Sequence, residues 1–174
     1  MSTIKNDHWN LIVSLINELR NCNNNSMSIA TLVMSFVSID TLANLGRPAN
    51  QEQATRKDFI SWVDTYLKAD SSQVYQYKGK DVYAARCAVL HTLGTEASLH
   101  KQDPNIKIYG YHDGGRHNYN PEIDKNLILI GIPSFVYDIQ NAAISFLDNC
   151  EKDLLLKKRV EERLPKVLGY VPIK

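Results

Sequence analysis

Cysteine is scarce in this chain of 174 residues, and the three that occur are widely spaced. Cys22, Cys87 and Cys150 form no CxxC pair, so the sequence predicts neither a zinc site nor a disulfide framework. We expect three reduced thiols. The GxSxG and HExxH motifs are also absent, and the glycine pair at 114–115 is not followed by a phosphate-binding helix, which excludes a P-loop there.

Excess charge of one sign and long apolar runs are lacking as well. The 20 basic and 19 acidic side chains give a formal net charge of +1, which argues against a strongly basic nucleic-acid module. No stretch has the roughly 20 apolar residues that span a bilayer, so we expect no membrane partner. The first residues, MSTIKNDHWN, do not resemble a secretory signal, and we expect a cytoplasmic protein.

Apolar side chains at helical spacing predict a mainly α fold, with one helical domain over residues 1–174. The expected bundle has five or six helices and occupies 7–94 and 133–165. Its helices are predicted after Asp7, at 27–45, at 51–69 behind an Asn50 cap, at 80–93, and from Pro133, with 148–158 as a continuation or a sixth helix. The second of these is apolar or small nearly all round, which is typical of a central helix.

The middle of the chain predicts a small β insertion. Residues 106–112 alternate like a strand, and residues 126–132 form a second apolar strand candidate. The stretch between them is too long for a tight hairpin, so we expect a small sheet in an insertion at about 100–132, with its strands within 104–132. His112, Asp113 and His117 flank the glycine turn there and offer a weak alternative metal site.

The fourth predicted helix carries the two candidate catalytic residues, Arg86 and His91. Nearly all its other positions are apolar or small, so we expect both residues on a helix with almost no solvated face. A buried arginine must pair with an acid such as Asp40, line a wet cleft or bind an anion. His91 lies in the last turn before Gly94, where helix carbonyls favour a cationic imidazole; it either serves acid–base chemistry or simply caps the helix.

The four residues between Arg86 and His91, near a helix end, resemble the motif of the HEPN superfamily (higher eukaryotes and prokaryotes nucleotide-binding domains). The helices from about 7 to 160 loosely fit the same plan. The resemblance implies a metal-independent ribonuclease that acts on RNA and needs no cofactor. Arg86 would stabilise the scissile phosphate, and His91 would act as the acid or base. It also implies a homodimer in which two motifs share one cleft.

The alternative is a non-catalytic nucleotide-binding or protein-interaction domain in which Arg86 is structural. The near-neutral charge favours it, as does Cys87, which stands where the family commonly has a polar residue. Five residues along a helix amount to about 140° of rotation, so Arg86 and His91 diverge unless a second subunit completes the cleft. The basic run at 157–159 alternates with acids, which is typical of a solvated helix face, with phosphate contacts as the alternative.

Overall fold

The computed structural model describes residues 8–167. Within that range there are six helices of ten residues or more, one short helix and two short strands. In chain order they are α1 (Asn10–Asn24), α2 (Ser28–Gly46), α3 (Arg56–Tyr66), α4 (Gly79–Thr92), α5 (Ser98–Gln102), β1 (Ile108–His112), β2 (Leu127–Gly131), α6 (Ile132–Lys152) and α7 (Leu154–Arg163), followed by a 3-10 turn at Leu164–Lys166. The predicted mainly α fold with a small β insertion is confirmed, and the unpredicted α5 adds one short helix.

Helix α2 is the central helix, as its composition predicted. It packs against α1, α3, α4, α6 and α7, and its Phe36, Ile39 and Leu42 are completely buried. It is also the one helix in the described part of the chain whose length and mean hydropathy, 1.5, meet the requirements for crossing a bilayer. In the structure this apolar surface is covered by the surrounding helices, each of which buries an apolar face of its own.

Helix α3 begins five residues later than predicted, because a reciprocal cap forms at Thr55. The Thr55 side chain accepts from the Asp58 backbone N–H at 3.4 Å, and the Asp58 carboxylate accepts from the Thr55 backbone N–H at 2.7 Å. This capping box satisfies two backbone donors, one more than a single cap at Asn50 would. Residues 51–54 therefore lie outside the helix, which ends at Tyr66.

The two strands pair in parallel, with Ile108 opposite Leu127. Parallel strands require a crossover connection, which agrees with the expectation that no tight hairpin forms. Within the crossover, Asn118 pairs in the antiparallel sense with Leu129 on the other edge of β2. Tyr109 of β1 is completely buried in the same apolar core as the helices. The small sheet is thus part of the core.

Strand β2 runs directly into α6 without a loop. A Cβ atom on Gly131 would lie 2.4 Å from the Gly114 carbonyl oxygen, so this close approach of the two segments requires glycine. Pro133 takes the second position of α6, where its missing N–H costs no helical hydrogen bond. After Lys152, Asp153 accepts from two backbone N–H groups and begins a separate helix α7, which settles the choice between a continued and a sixth helix.

Helix α4 ends on a left-handed leucine. Leu93 has φ 52° and ψ 27°, and its N–H donates to the Val89 carbonyl at 2.9 Å. The next N–H, of Gly94, donates to the Ala88 carbonyl at 3.2 Å. The first of these bonds is that of the αL helix end, in which glycine is the preferred left-handed residue. Here the glycine stands one position later, and Leu93 carries the conformational cost with its side chain 62% exposed.

Leu93→Gly should therefore raise the free energy of unfolding by about 1 kcal/mol, because the left-handed conformation costs an L-residue roughly 1–2 kcal/mol and the exposed side chain contributes little burial. Denaturant unfolding measures the change. The matched control is Leu155→Gly in α7, where an equally exposed leucine lies in a right-handed helix. That control should lose up to about 1 kcal/mol. Similar losses in both variants would contradict the argument.

Candidate functional site

Arg86 of α4 is held by Asp40 of α2 across the interface between the two helices. The Arg86 Nε atom donates to the Asp40 Oδ2 atom at 2.8 Å, and Nη2 lies 2.7 Å from the same oxygen. The two side chains are 25% and 33% exposed. Of the three possibilities that the sequence left open for Arg86, the structure shows the pairing with Asp40. This pairing engages two of the three guanidinium nitrogens; Nη1 makes no hydrogen bond within residues 8–167, and the Cys87 thiol also lies beside the guanidinium.

The electrostatics of the pair follow from its partial burial. Burial raises the pKa of the Asp40 carboxyl, and the hydrogen bond and charge of Arg86 oppose that rise. For Arg86, burial alone would lower the pKa, but the hydrogen bonds and charges of Asp40 and, to a smaller extent, Cys87 together outweigh it and raise the pKa above its usual value. Arg86 therefore stays charged, and its positive charge has a fixed position on the surface between α2 and α4.

His91 is exposed in the last turn of α4. The expectation that both residues lie on a helix with almost no solvated face was therefore wrong for His91. The buried positions of α4 end at Val89, and the left-handed turn at Leu93 takes the chain into solvent. The apolar composition of this helix does not show which of its residues are buried, because that depends on which neighbouring elements pack against each turn. His91 is free to meet a ligand or a second subunit.

A single chain does not bring Arg86 and His91 together. They are separated by about 140° around α4 and roughly 7.5 Å along its axis, and Arg86 is fixed toward α2. Neither residue lines the largest cavity of the protein. The arrangement offers two accessible functional groups on one helix rather than a finished catalytic cleft.

A second polar cluster, not predicted from the sequence, is buried where β2 meets α6. The His117 Nδ1 atom accepts from the Gly131 N–H at 3.2 Å, which places the ring proton on Nε2. Nε2 then donates to the Tyr77 hydroxyl at 2.7 Å, and that hydroxyl donates to Oδ2 of Asp138 at 2.9 Å. Burial lowers the pKa of His117 to about 4 and raises the pKa of Asp138 to about 6.

This cluster bears on the weak metal alternative at His112, Asp113 and His117. Both ring nitrogens of His117 are occupied by protein partners, and the Nδ1 atom of His112 accepts from the Gly114 N–H at 3.1 Å. Within residues 8–167, no group of three or more histidine, cysteine or acidic side chains is placed to hold a metal ion. His117 is instead a buried connector between the crossover and α6.

The segment before α4 supplies the tyrosines of this buried network. Tyr77 belongs to the cluster just described, while Tyr75 donates to Oδ2 of Asp81 at 2.7 Å and lies 3.0 Å from the hydroxyl of Tyr109. Burial raises the pKa of both Tyr75 and Tyr109, so these phenols stay neutral. The sequence predicted only a polar connector here. The alternation of Tyr75 and Tyr77 with polar residues was the one available signal of a half-buried segment.

Comparison with known proteins finds no matching family model, no matching curated protein and no matching solved structure. The candidate site therefore depends on the chemistry of its own residues. Two of its features meet the needs of phosphate chemistry: a positive charge held in place at Arg86, and an exposed imidazole on the same helix at His91.

Arg86→Ala and Asp40→Ala should each lower the free energy of unfolding by about 1–3 kcal/mol, since each leaves a partly buried charge without its partner. The double variant should lose less than the sum of the two. Chemical denaturation of all four proteins gives the coupling energy. The more exposed pair of Lys80 and Asp103, 3.8 Å apart, is the matched control and should show little coupling. Equal coupling in the two pairs would contradict a special role for Asp40.

Asp138→Asn should change how stability depends on pH. The pKa of Asp138 is about 6 in the folded protein, above the usual unfolded value of about 3.9, so its contribution is fully present below pH 3.9 and lost as pH rises through 6. The variant keeps an acceptor for Tyr77 without the charge. Its stability relative to the wild type should therefore increase by up to about 3 kcal/mol between pH 4 and pH 7.

Thermal unfolding across this pH range measures that difference. The matched control is Asp148→Asn, which removes an exposed carboxylate from the same helix and should give a pH profile parallel to that of the wild type. If Asp138→Asn also runs parallel to the wild type, Asp138 does not hold an elevated pKa in the folded protein.

Proposed function

We propose that this chain is an HEPN-like ribonuclease domain that cleaves RNA without a metal ion. The observation that carries the proposal is the ion pair of Arg86 with Asp40, because it fixes a guanidinium near the surface and leaves Nη1 available. An arginine held in this way can bind a phosphate oxygen with little further loss of side-chain conformational entropy, because the side chain is already ordered. The exposed His91 on the same helix supplies the group that transfers a proton.

In the proposed reaction, a ribose 2′-hydroxyl attacks the adjacent phosphorus atom. The bond between phosphorus and the 5′ oxygen breaks, and the products are a cyclic 2′,3′-phosphate and a 5′-hydroxyl. His91 transfers the proton of the 2′-hydroxyl to the departing 5′ oxygen. Arg86 stabilises the negative charge that develops on the phosphate oxygens. No cofactor is required by this chemistry.

The proposal includes a homodimer. Arg86 and His91 diverge on one helix, so a cleft that uses both is best built from α4 of one subunit and α4 of a second. Each RNA phosphate would then meet Arg86 and His91 from different chains. The end of α4 can approach a second copy because His91, Thr92 and Leu93 are exposed together there.

The alternative proposal is a non-catalytic nucleotide-binding or protein-interaction domain. The same ion pair favours it, because two partly buried, oppositely charged groups joined across a helix interface also serve to fix the packing of α4 on α2. In that case Arg86 contributes to stability, and His91 is a surface residue at a helix end. The two proposals differ in what His91→Gln does.

His91→Gln should lower RNA cleavage about 100-fold or more while leaving the fold intact, since general acid–base groups contribute roughly 10²–10⁴ in rate and an exposed residue contributes little stability. The assay uses a labelled single-stranded RNA in the presence of EDTA, with circular dichroism to confirm folding. His8→Gln is the matched control outside the site. A wild type that cleaves no RNA, or a His91→Gln variant that is fully active, would favour the alternative.

Mixing Arg86→Lys with His91→Gln extends this test to the dimer. If one cleft uses both subunits, the mixture should recover activity that each variant lacks, and the sedimenting mass should be twice the 19.8 kDa of the chain. A monomer, or a mixture that stays inactive while subunits exchange, would contradict the shared cleft.

A further inference from the structure

A large cavity among residues 8–167 lies away from Arg86 and His91, between the C-terminal end of α2, the exposed side of α3, the last turns of α6, and α7. Its volume is about 580 Å³. Pockets that bind small molecules commonly have volumes of about 300–1,000 Å³. This cavity therefore has room for a ligand with a ring and a polar group.

Three aromatic side chains form one wall of the cavity. The ring centroids of Trp62 and Tyr66 are 5.3 Å apart, and those of Tyr66 and Phe146 are 5.5 Å apart. Trp62 is only 5% exposed, yet its indole Nε1–H finds no acceptor among residues 8–167. Buried indole N–H groups usually have a partner, so this donor beside the cavity can take a ligand acceptor.

A second unpartnered donor comes from α7. Arg159 lines the same cavity, and its buried Nε–H also lacks an acceptor within the described range. The residues of the basic run at 157–159 therefore have different surroundings. Lys157 pairs with Glu151 at 2.7 Å, while Arg159 lines the cavity. Neither Arg159 nor Lys57, which also lines the cavity, forms an ion pair in the part of the chain that the structure describes.

The two carboxylates that line the cavity form no ion pair with these cations within residues 8–167, and both bind donors at helix starts instead. Asp58 accepts from Thr55 in the capping box of α3, and Asp153 accepts from two backbone N–H groups at the start of α7. The cavity therefore presents an aromatic wall, two buried donors without partners within residues 8–167, and three cations, Arg47, Lys57 and Arg159, that form no ion pair within that range. Such a site favours a ligand that is apolar on one side and anionic on the other.

We propose that this cavity binds a small organic anion in which a ring carries a carboxylate or phosphate group. The ring packs chiefly on Tyr66, the one aromatic side chain of this wall that is partly exposed, with the buried Trp62 and Phe146 behind it. The anionic group accepts from the Nε1–H of Trp62 and the Nε–H of Arg159, and Lys57 lies at the entrance as an additional positive charge. This site is separate from the proposed RNA site and does not depend on it.

Nuclear magnetic resonance of the indole N–H groups tests the proposal directly, because the chain has two tryptophans, Trp9 and Trp62. The probes are benzoate and phenyl phosphate, with neutral benzyl alcohol and ring-free inorganic phosphate beside them. Either or both of the two ring-bearing anions should shift the Trp62 resonance in a saturable manner and leave Trp9 unchanged. Comparing them shows which anionic group the site takes. Benzyl alcohol and inorganic phosphate should bind at least about tenfold more weakly, because the alcohol lacks the anionic group and the phosphate lacks the ring.

Arg159→Gln should weaken the binding of the ring-bearing anion about tenfold, since it removes a charged donor. Lys158→Gln is the matched control, because it makes the same charge change one residue away on α7 at a position outside this cavity. Trp62→Phe, which keeps the ring but removes the N–H, should also weaken binding in calorimetry. No saturable shift with either anion at millimolar concentration, or equal affinities in the Arg159 and Lys158 variants, would overturn the proposal.

Discussion

The fold depends on one constraint: helix α2 is apolar or small on nearly every side and must be covered all round. Five helices do so, and they come from both halves of the chain, α1, α3 and α4 before the small sheet and α6 and α7 after it. The crossover and the parallel strands connect these two groups. The surrounding helices also pack on one another, α3 on α4 and α6 on α7, and the cavity between α3, α6 and α7 lies at the C-terminal end of α2.

Several polar groups inside this arrangement are paired, and the pairs join elements distant in sequence. Asp40 and Arg86 join α2 to α4, and Tyr77 links the segment before α4 to both His117 and Asp138. Since an unpaired buried polar group is costly, such pairs fix the relative positions of the elements. Among residues 8–167, seven buried side-chain nitrogen and oxygen atoms have no partner, and two of them, Nε1 of Trp62 and Nε of Arg159, belong to residues that line the cavity between α3, α6 and α7.

The helices were predictable because their information is local. Apolar periodicity and turn residues located α2 and α4 to within a residue or two, and α2 offers Asp40 as its one charged side chain, which made the partner of Arg86 predictable too. The start of α3 was not predictable in the same way, because two capping sites competed. The contact between Tyr77 and His117 joins residues 40 apart, and nothing in either neighbourhood indicates it. The exposure of His91 was likewise not predictable, because it depends on how far the neighbouring elements extend along α4.

The position of α2 has a consequence for the synthesis of this protein on the ribosome. Two of the helices that cover it, α6 and α7, are translated about 100 residues after α2 itself. At elongation rates of about 5–20 residues per second, the most apolar helix of the chain remains incompletely covered for roughly 5–20 s. During that interval the nascent chain presents a surface suited to capture by chaperones or by other unfolded chains. The rate of translation through the region before α6 therefore sets how long this protein is exposed to aggregation.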